Sequence, residues 1–192
     1  MSEFLFLDID DVLNSEQFHE RNPWIREDGV DPDEHPRTWI DPEAVERLNR
    51  ILEETETNPE VILSSTWRHS FDAVEMTDIL RDRGFNHHVC GSIPGRPRRL
   101  RHQTSRGYNR PAGMVRERGD HILNFLKFKR NVDRLESVVV LDNLPEEELA
   151  PFEDHLIQTV PEDGLQERHV ESALEILEQD VKGISLEVDS GR

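Results

Sequence analysis

Cysteine is nearly absent: Cys90 stands alone in 192 residues, which excludes a disulfide within the chain. Lysine is scarce as well, at positions 127, 129 and 182 only, so arginine supplies the other 20 of the 23 basic residues. No apolar run approaches the roughly 18 residues that a membrane-spanning helix requires. The opening MSEFLFLDIDD lacks the basic region, long apolar stretch and small-residue cleavage site of a secretory leader. Together these absences predict a soluble, cytoplasmic protein with no membrane partner. Positive charge is outnumbered overall: 41 Asp and Glu leave the chain at −18, a field that repels nucleic acid and anionic membranes except where charge is locally reversed. An acidic, lysine-poor, arginine-retaining surface suits a salty cytoplasm, where screening shortens the reach of self-repulsion.

Apolar residues make up only 34% of the chain, yet they cluster between helix and turn signals, as in a folded domain and unlike a disordered chain. The length fits one domain with room for insertions. Phe4 to Leu7, Val61 to Leu63 and Val138 to Leu141 are continuous apolar runs, the pattern of strands buried on both faces of a parallel sheet. Helices are predicted between them. One starts at Asp41 and Pro42 with Val45, Leu48 and Leu52 on a single face; others cover Phe71 to Arg83, Glu117 to Lys129 and Glu167 to Val181. This alternation predicts an α/β domain with a mainly parallel sheet flanked by helices. Two polar, Pro- and Gly-bearing stretches lack periodicity and are expected as irregular insertions: a flap over 14–40 and an arginine-rich segment over 92–116. The domain is expected to span 1–182, with a loosely ordered tail over 183–192.

Each predicted strand delivers polar groups at its carboxyl end, where ligands bind in open α/β sheets. Asp8 and Asp10 follow the first, Ser64 and Ser65 the second, and Asp142 and Asn143 the third. The spacing of Asp8 and Asp10 lets both face one crevice, one as nucleophile or metal ligand and the other as acid and base. Asp142 adds a carboxylate, and such an oxygen-rich set suits Mg²⁺. Taken singly, each has a plainer explanation: Asp in a turn, Ser as a helix cap, Asp142 and Asn143 in an Asx turn.

Taken together and in order, these stretches resemble the haloacid dehalogenase (HAD) superfamily. FLFLDIDDVLN at 4–14 is similar to its first motif and VILSSTWR at 61–68 to its second, in the form found in the HAD branch of Swiss army knife RNA repair proteins. Arg118-Gly119 sits where the third-motif base would be, VVVLDN at 138–143 resembles the fourth motif, and LIQTVPEDGLQERHVESALEIL at 156–177 resembles that branch's C-terminal end. The resemblance implies a Rossmann-like HAD core with small insertions instead of a large cap. It implies that Asp8 attacks phosphorus to give an aspartyl-phosphate while Asp10 serves as acid and then base. Asp8, the Asp10 carbonyl and Asp142 would hold Mg²⁺, and Ser64 or Ser65, Arg118 and Arg68 would bind phosphate oxygens. Three positions depart from the family pattern. Asp11 replaces a common glycine, Asn143 replaces a frequent acid and offers the metal a neutral oxygen, and Arg118 replaces the commoner lysine. Glu146 is near enough in sequence to compensate at the metal.

From Arg96 to Arg118 there are eight arginines and one acid, Glu117. Such an island on an acidic body is a candidate clamp for a phosphate backbone, with Arg98, Arg99 and Arg101 at its centre and His102 and Tyr108 able to stack on a base. Its plainer reading is pairing with the protein's own acids. His87, His88 and Cys90 lack the further ligand that a closed zinc site needs, and Trp24, Trp39 and Trp67 are explained by packing as readily as by substrate. The expected function is thus a Mg²⁺-dependent phosphomonoester hydrolase acting on a nucleotide or a nucleic-acid terminal phosphate. The alternatives are a small-molecule phosphatase for nucleotides or sugar phosphates, and a catalytically weak HAD-like module that binds nucleic acid through the arginine segment.

Overall fold

The apolar runs become the centre of a five-stranded sheet whose strands are all parallel, in the order β3-β2-β1-β4-β5. The computed structural model describes residues 2–27, 29–94, 118–128, 135–179 and 184. Strand β1 is Ser2–Leu7, β2 Glu60–Leu63, β3 Val89–Ser92, β4 Leu135–Asp142 and β5 Leu156–Gln158. Leu5 and Leu7 face one layer, where Val45, Leu48, Met76, Leu80, Val170 and Leu177 are buried. Phe4 and Phe6 face the other, with Ile122, Leu126, Leu149 and Phe152. Burial on both faces is why β1 is continuously apolar from Phe4 to Leu7 and does not alternate there.

Helix α3 (Pro42–Glu54) starts where the sequence signals it: Asp41 Oδ1 accepts from Glu43 N at 2.9 Å and Pro42 occupies the first turn. Helix α4 (Ala73–Arg81) begins later than Phe71 because Asp72 caps it, accepting from Val74 N and Glu75 N while Glu75 reaches back to Asp72 N. Helices α5 (Arg118–Phe128) and α6 (Glu167–Leu177) flank the sheet on its two sides, and α6 stops short of the predicted Val181, which lies outside the described residues.

The segment 14–40, expected to be irregular, carries two short helices, α1 (Glu16–Arg21) and α2 (Trp24–Glu27), and a 3-10 turn at Pro36–Trp39. Its polarity hid three anchors, Phe18, Ile25 and Ile40, whose side chains are buried. Of the arginine-rich insertion, residues 95–117 lie outside the described residues, and Arg98, Arg99 and Arg101 with them. No described helix is long and apolar enough to cross a membrane.

Candidate active site

The three central strands end side by side, and backbone pairing carries on past them. Asp8 N donates to Leu141 O at 2.9 Å, and Ser64 N donates to Leu7 O at 2.8 Å. Asp8, Ser64 and Asp142 are therefore fixed by the sheet itself at its carboxyl edge, each buried to 3% exposure or less. This is the crevice that the parallel topology leaves for a ligand.

Arg118, the first residue of α5, reaches this edge and joins two of the carboxylates. Its Nη1 stands 2.7 Å from Asp8 Oδ2 and 2.8 Å from Asp142 Oδ2. Burial works against the Arg118 charge, but Asp8 and Asp142 outweigh it and the pKa goes up. Arg118 is thus no solvated ion pair on a helix surface. Burial and the neighbouring Asp8 charge push Asp142 up to about 7, against the pull of Arg118 and of Leu144 N, which donates to Asp142 Oδ1.

Those two carboxylates are a fit for a hard divalent cation: the donors are oxygen, and their mutual repulsion leaves negative charge that one guanidinium does not settle. Among the described residues no three His, Cys, Asp or Glu side chains stand close enough to hold a metal by themselves. Asp10 accordingly does not join Asp8 and Asp142 through its side chain. Its Oδ1 accepts from Trp67 Nε1 at 3.0 Å and from Asn14 Nδ2 at 3.4 Å. The carbonyl route to a third protein ligand uses no further carboxylate.

Two buried groups beside Asp8 have no hydrogen-bond partner among the described residues: Ser64 Oγ and Arg68 Nε. Ser65 is different, since its Oγ accepts from Trp67 N at 3.3 Å and so caps the 3-10 turn Thr66–His69. Arg68 Nη1 donates to Ser64 O at 2.9 Å and Ser65 O at 2.5 Å, which ties the guanidinium to the end of β2. Burial lowers the Arg68 pKa and the Arg118 charge lowers it further, with Asp8 opposing. Two partly buried cations beside an unpartnered hydroxyl offer donors of the kind that a multiply charged oxyanion accepts from.

Two of the three departures from the family pattern, Asp11 and Asn143, pair with one another. Asp11 adopts φ 59°, the left-handed conformation that favours glycine. Its carboxylate Oδ2 accepts from Asn143 Nδ2 at 2.8 Å, its N donates to Asn14 Oδ1 at 2.8 Å, and its carbonyl accepts from Thr159 Oγ1 at 2.8 Å. Burial raises the Asp11 pKa, and the Asp10 charge adds to it. An acid at 143 would set carboxylate against carboxylate, and asparagine removes that conflict. Glu146 opens the 3-10 stretch Glu146–His155 as an exposed residue, and no described contact ties it to the site.

Sequence reading did not find the contacts of Trp67, Asn14 and Thr159. The only advance signal was the tryptophan within the second motif and the polar Asn14 closing the first. Compared with known proteins, residues 4–170 match the model of a family described as the HAD domain in Swiss Army Knife RNA repair proteins. No curated protein and no solved structure matches the chain.

Proposed function

This chain belongs to the family of HAD domains found in Swiss Army Knife RNA repair proteins, and from that premise we propose that it is a Mg²⁺-dependent phosphomonoester hydrolase working through an aspartyl-phosphate. The observation that carries the reading is the pair of idle groups, Ser64 Oγ and Arg68 Nε, buried beside Asp8 and Arg118. Buried polar groups are rarely left without partners unless a ligand supplies them, and a phosphate offers acceptor oxygens to both.

In this reading Asp8 Oδ1 is held by Ile9 N at 2.8 Å, which orients the carboxylate. Its Oδ2 attacks phosphorus, the ester P–O bond breaks, and Asp10 gives its proton to the leaving oxygen. Asp10 then takes a proton from a water whose oxygen attacks the same phosphorus. The bond to Asp8 breaks and inorganic phosphate leaves. Trp67 and Asn14 keep Asp10 Oδ1 occupied, so its second oxygen is the one free to carry the proton. Ser64, Arg68 and Arg118 bind the phosphoryl oxygens as charge shifts onto them. Asp8, Asp142 and the Asp10 carbonyl would hold Mg²⁺, with Asn143 Oδ1 near enough in sequence to assist. Bound there, the ion would neutralise charge between the attacking carboxylate and the phosphate.

The substrate class proposed is a nucleotide or the terminal phosphate of a nucleic acid. It is supported by the RNA repair context of the family and by the eight arginines between Arg96 and Arg118; a cytoplasmic location goes with it. The test is phosphate release from 3′- and 5′-phosphorylated oligonucleotides, free nucleotides and sugar phosphates. A phosphorylated oligonucleotide is expected to be the best substrate, with neutralisation of Arg98, Arg99 and Arg101 raising its KM most at low salt. Preference for a free nucleotide or sugar phosphate would overturn the polymer-end reading, and release from none would overturn the hydrolase.

A further inference from the structure

The stretch after β5 supplies none of the reacting groups proposed above, although the likeness to the family runs on through it to residue 170. It lies alongside the loop that carries Asp10. Glu16 N donates to Pro161 O at 2.8 Å, Gln17 N to Glu162 O at 3.0 Å and Leu165 N to Val12 O at 2.9 Å. The two backbones come so close that a Cβ on Gly164 would stand 3.0 Å from Val12 O.

Thr159 opens this contact. It is 1% exposed and directly follows β5. Its N donates to Asp142 O at 3.0 Å, and its Oγ1 donates to Asp11 O at 2.8 Å. A single residue is thus bonded both to the end of β4 and to the turn that follows β1. That turn needs holding, because Asp11 has φ 59°, a conformation disfavoured for any residue with a side chain and kept only where the surroundings over-determine it. Asn14 Oδ1 accepts from the Asp11 N, Asn143 Nδ2 donates to its carboxylate, and Thr159 holds its carbonyl. Asn14 belongs to the same loop and moves with it, whereas Thr159 is anchored by its bond to β4. A return of Asp11 to the right-handed region would rotate the peptide between Asp10 and Asp11, and the Asp10 carbonyl with it.

We propose that Thr159 is a positioning residue, whose hydroxyl keeps Asp11 left-handed and so holds the Asp10 carbonyl in place as a metal ligand beside Asp142. The inference rests on the metal site of the proposed hydrolase and adds to it a residue that touches neither metal nor substrate.

Mg²⁺ titrated calorimetrically into the full chain, without substrate, tests it. Thr159→Val keeps the shape of the side chain and removes the hydroxyl, and its Mg²⁺ dissociation constant should rise about tenfold, the scale on which groups that orient a metal ligand act. KM for the phosphate ester at saturating Mg²⁺ should stay unchanged, since Ser64, Arg68 and Arg118 are assigned its oxygens. Thr159→Ser restores the donor and should bind Mg²⁺ within about twofold of the wild type. In an Asp11→Gly background, where glycine takes the left-handed backbone without strain, Thr159→Val should cost only about twofold. Thr77→Val is the control for stability. Thr77 is also buried, its Oγ1 donates to Ala73 O at 2.7 Å and accepts from Val89 N at 2.9 Å, and Val89 begins β3 at the other edge of the sheet. It should lower the urea midpoint and leave Mg²⁺ affinity as it was. Unchanged affinity in Thr159→Val, failure of serine to restore it, or an equal loss in Thr77→Val would overturn the positioning role and leave the hydrolase standing. A loss of about tenfold from Thr159→Val in the Asp11→Gly background would overturn it too, a comparison that holds even where Thr159→Val alone does not fold. Absence of Mg²⁺ binding by the wild type would overturn the metal site, and this inference with it.

Discussion

Asp11 and Asn143 illustrate how a departure at one residue requires another. Asp11 Oδ2 lies 2.8 Å from Asn143 Nδ2, so Asn143→Asp turns a hydrogen bond into a repulsive contact. That substitution should cost about 1–2 kcal/mol, and Asp11→Gly in the same background should restore most of it, because glycine accepts the left-handed backbone without strain. Urea unfolding of the two single variants and the double variant measures the coupling. Trp67→Phe keeps the ring but removes the donor to Asp10, and is expected to lower kcat several-fold with little change in KM. Asp8, Ser64 and Asp142 were legible in the sequence because each ends an apolar run that a parallel sheet must bury. The bonds joining Trp67 to Asp10 and Asn143 to Asp11 were not, since they link residues brought together only when the sheet forms.

Helix α5 shows the same dependence among elements. A Cβ on Gly119 would lie 2.9 Å from Pro151 Cδ, 3.1 Å from Glu148 O and 3.3 Å from Leu149 Cα. Gly119→Ala must therefore push α5 away from the Glu146–His155 stretch, and Arg118 moves with it. A loss of about 1–3 kcal/mol is expected, together with reduced activity, and the joint loss is read by unfolding and phosphate release. Helix α6 carries a pH dependence at its start, where Gln166 N donates to His169 Nδ1 at 3.0 Å, which requires a neutral ring. Burial lowers the His169 pKa, Arg168 lowers it further, and Asp163 opposes them. The unfolded chain, with its imidazole near ~6.5, then binds the proton more readily than the folded one. Stability is complete above that value and is lost as pH falls from it toward the lower folded value. His169→Gln keeps an acceptor that cannot titrate, so its urea midpoint should fall less between pH 7 and pH 5.5 than that of the wild type. The central strands and capped helices could be anticipated from their apolar runs and cap residues. The edge strand β5 (Leu156–Gln158) could not, because three residues carry no period, and α1 and α2 are held by anchors too widely spaced to show one.

For the whole molecule, the −18 charge sets self-repulsion against cohesion. Raising KCl from about 0.1 M to about 2 M should therefore raise the thermal midpoint, whereas a neutral osmolyte at equal osmolality should raise it less. The same field makes the arginine island between Arg96 and Arg118 the one stretch of sequence suited to an anionic polymer, while catalysis is assigned to groups that the sheet holds in place. The attacking group in that proposal is Asp8, buried where β1 ends and joined to Arg118. Its most direct test is acid-quenched turnover of a phosphorylated oligonucleotide with Mg²⁺, followed by mass analysis of the peptide bearing residue 8 in wild type and Asp8→Asn. The expected result is a phosphoryl adduct on Asp8 in the wild type, with neither adduct nor phosphate release in the variant. Continued phosphate release by Asp8→Asn would contradict the account.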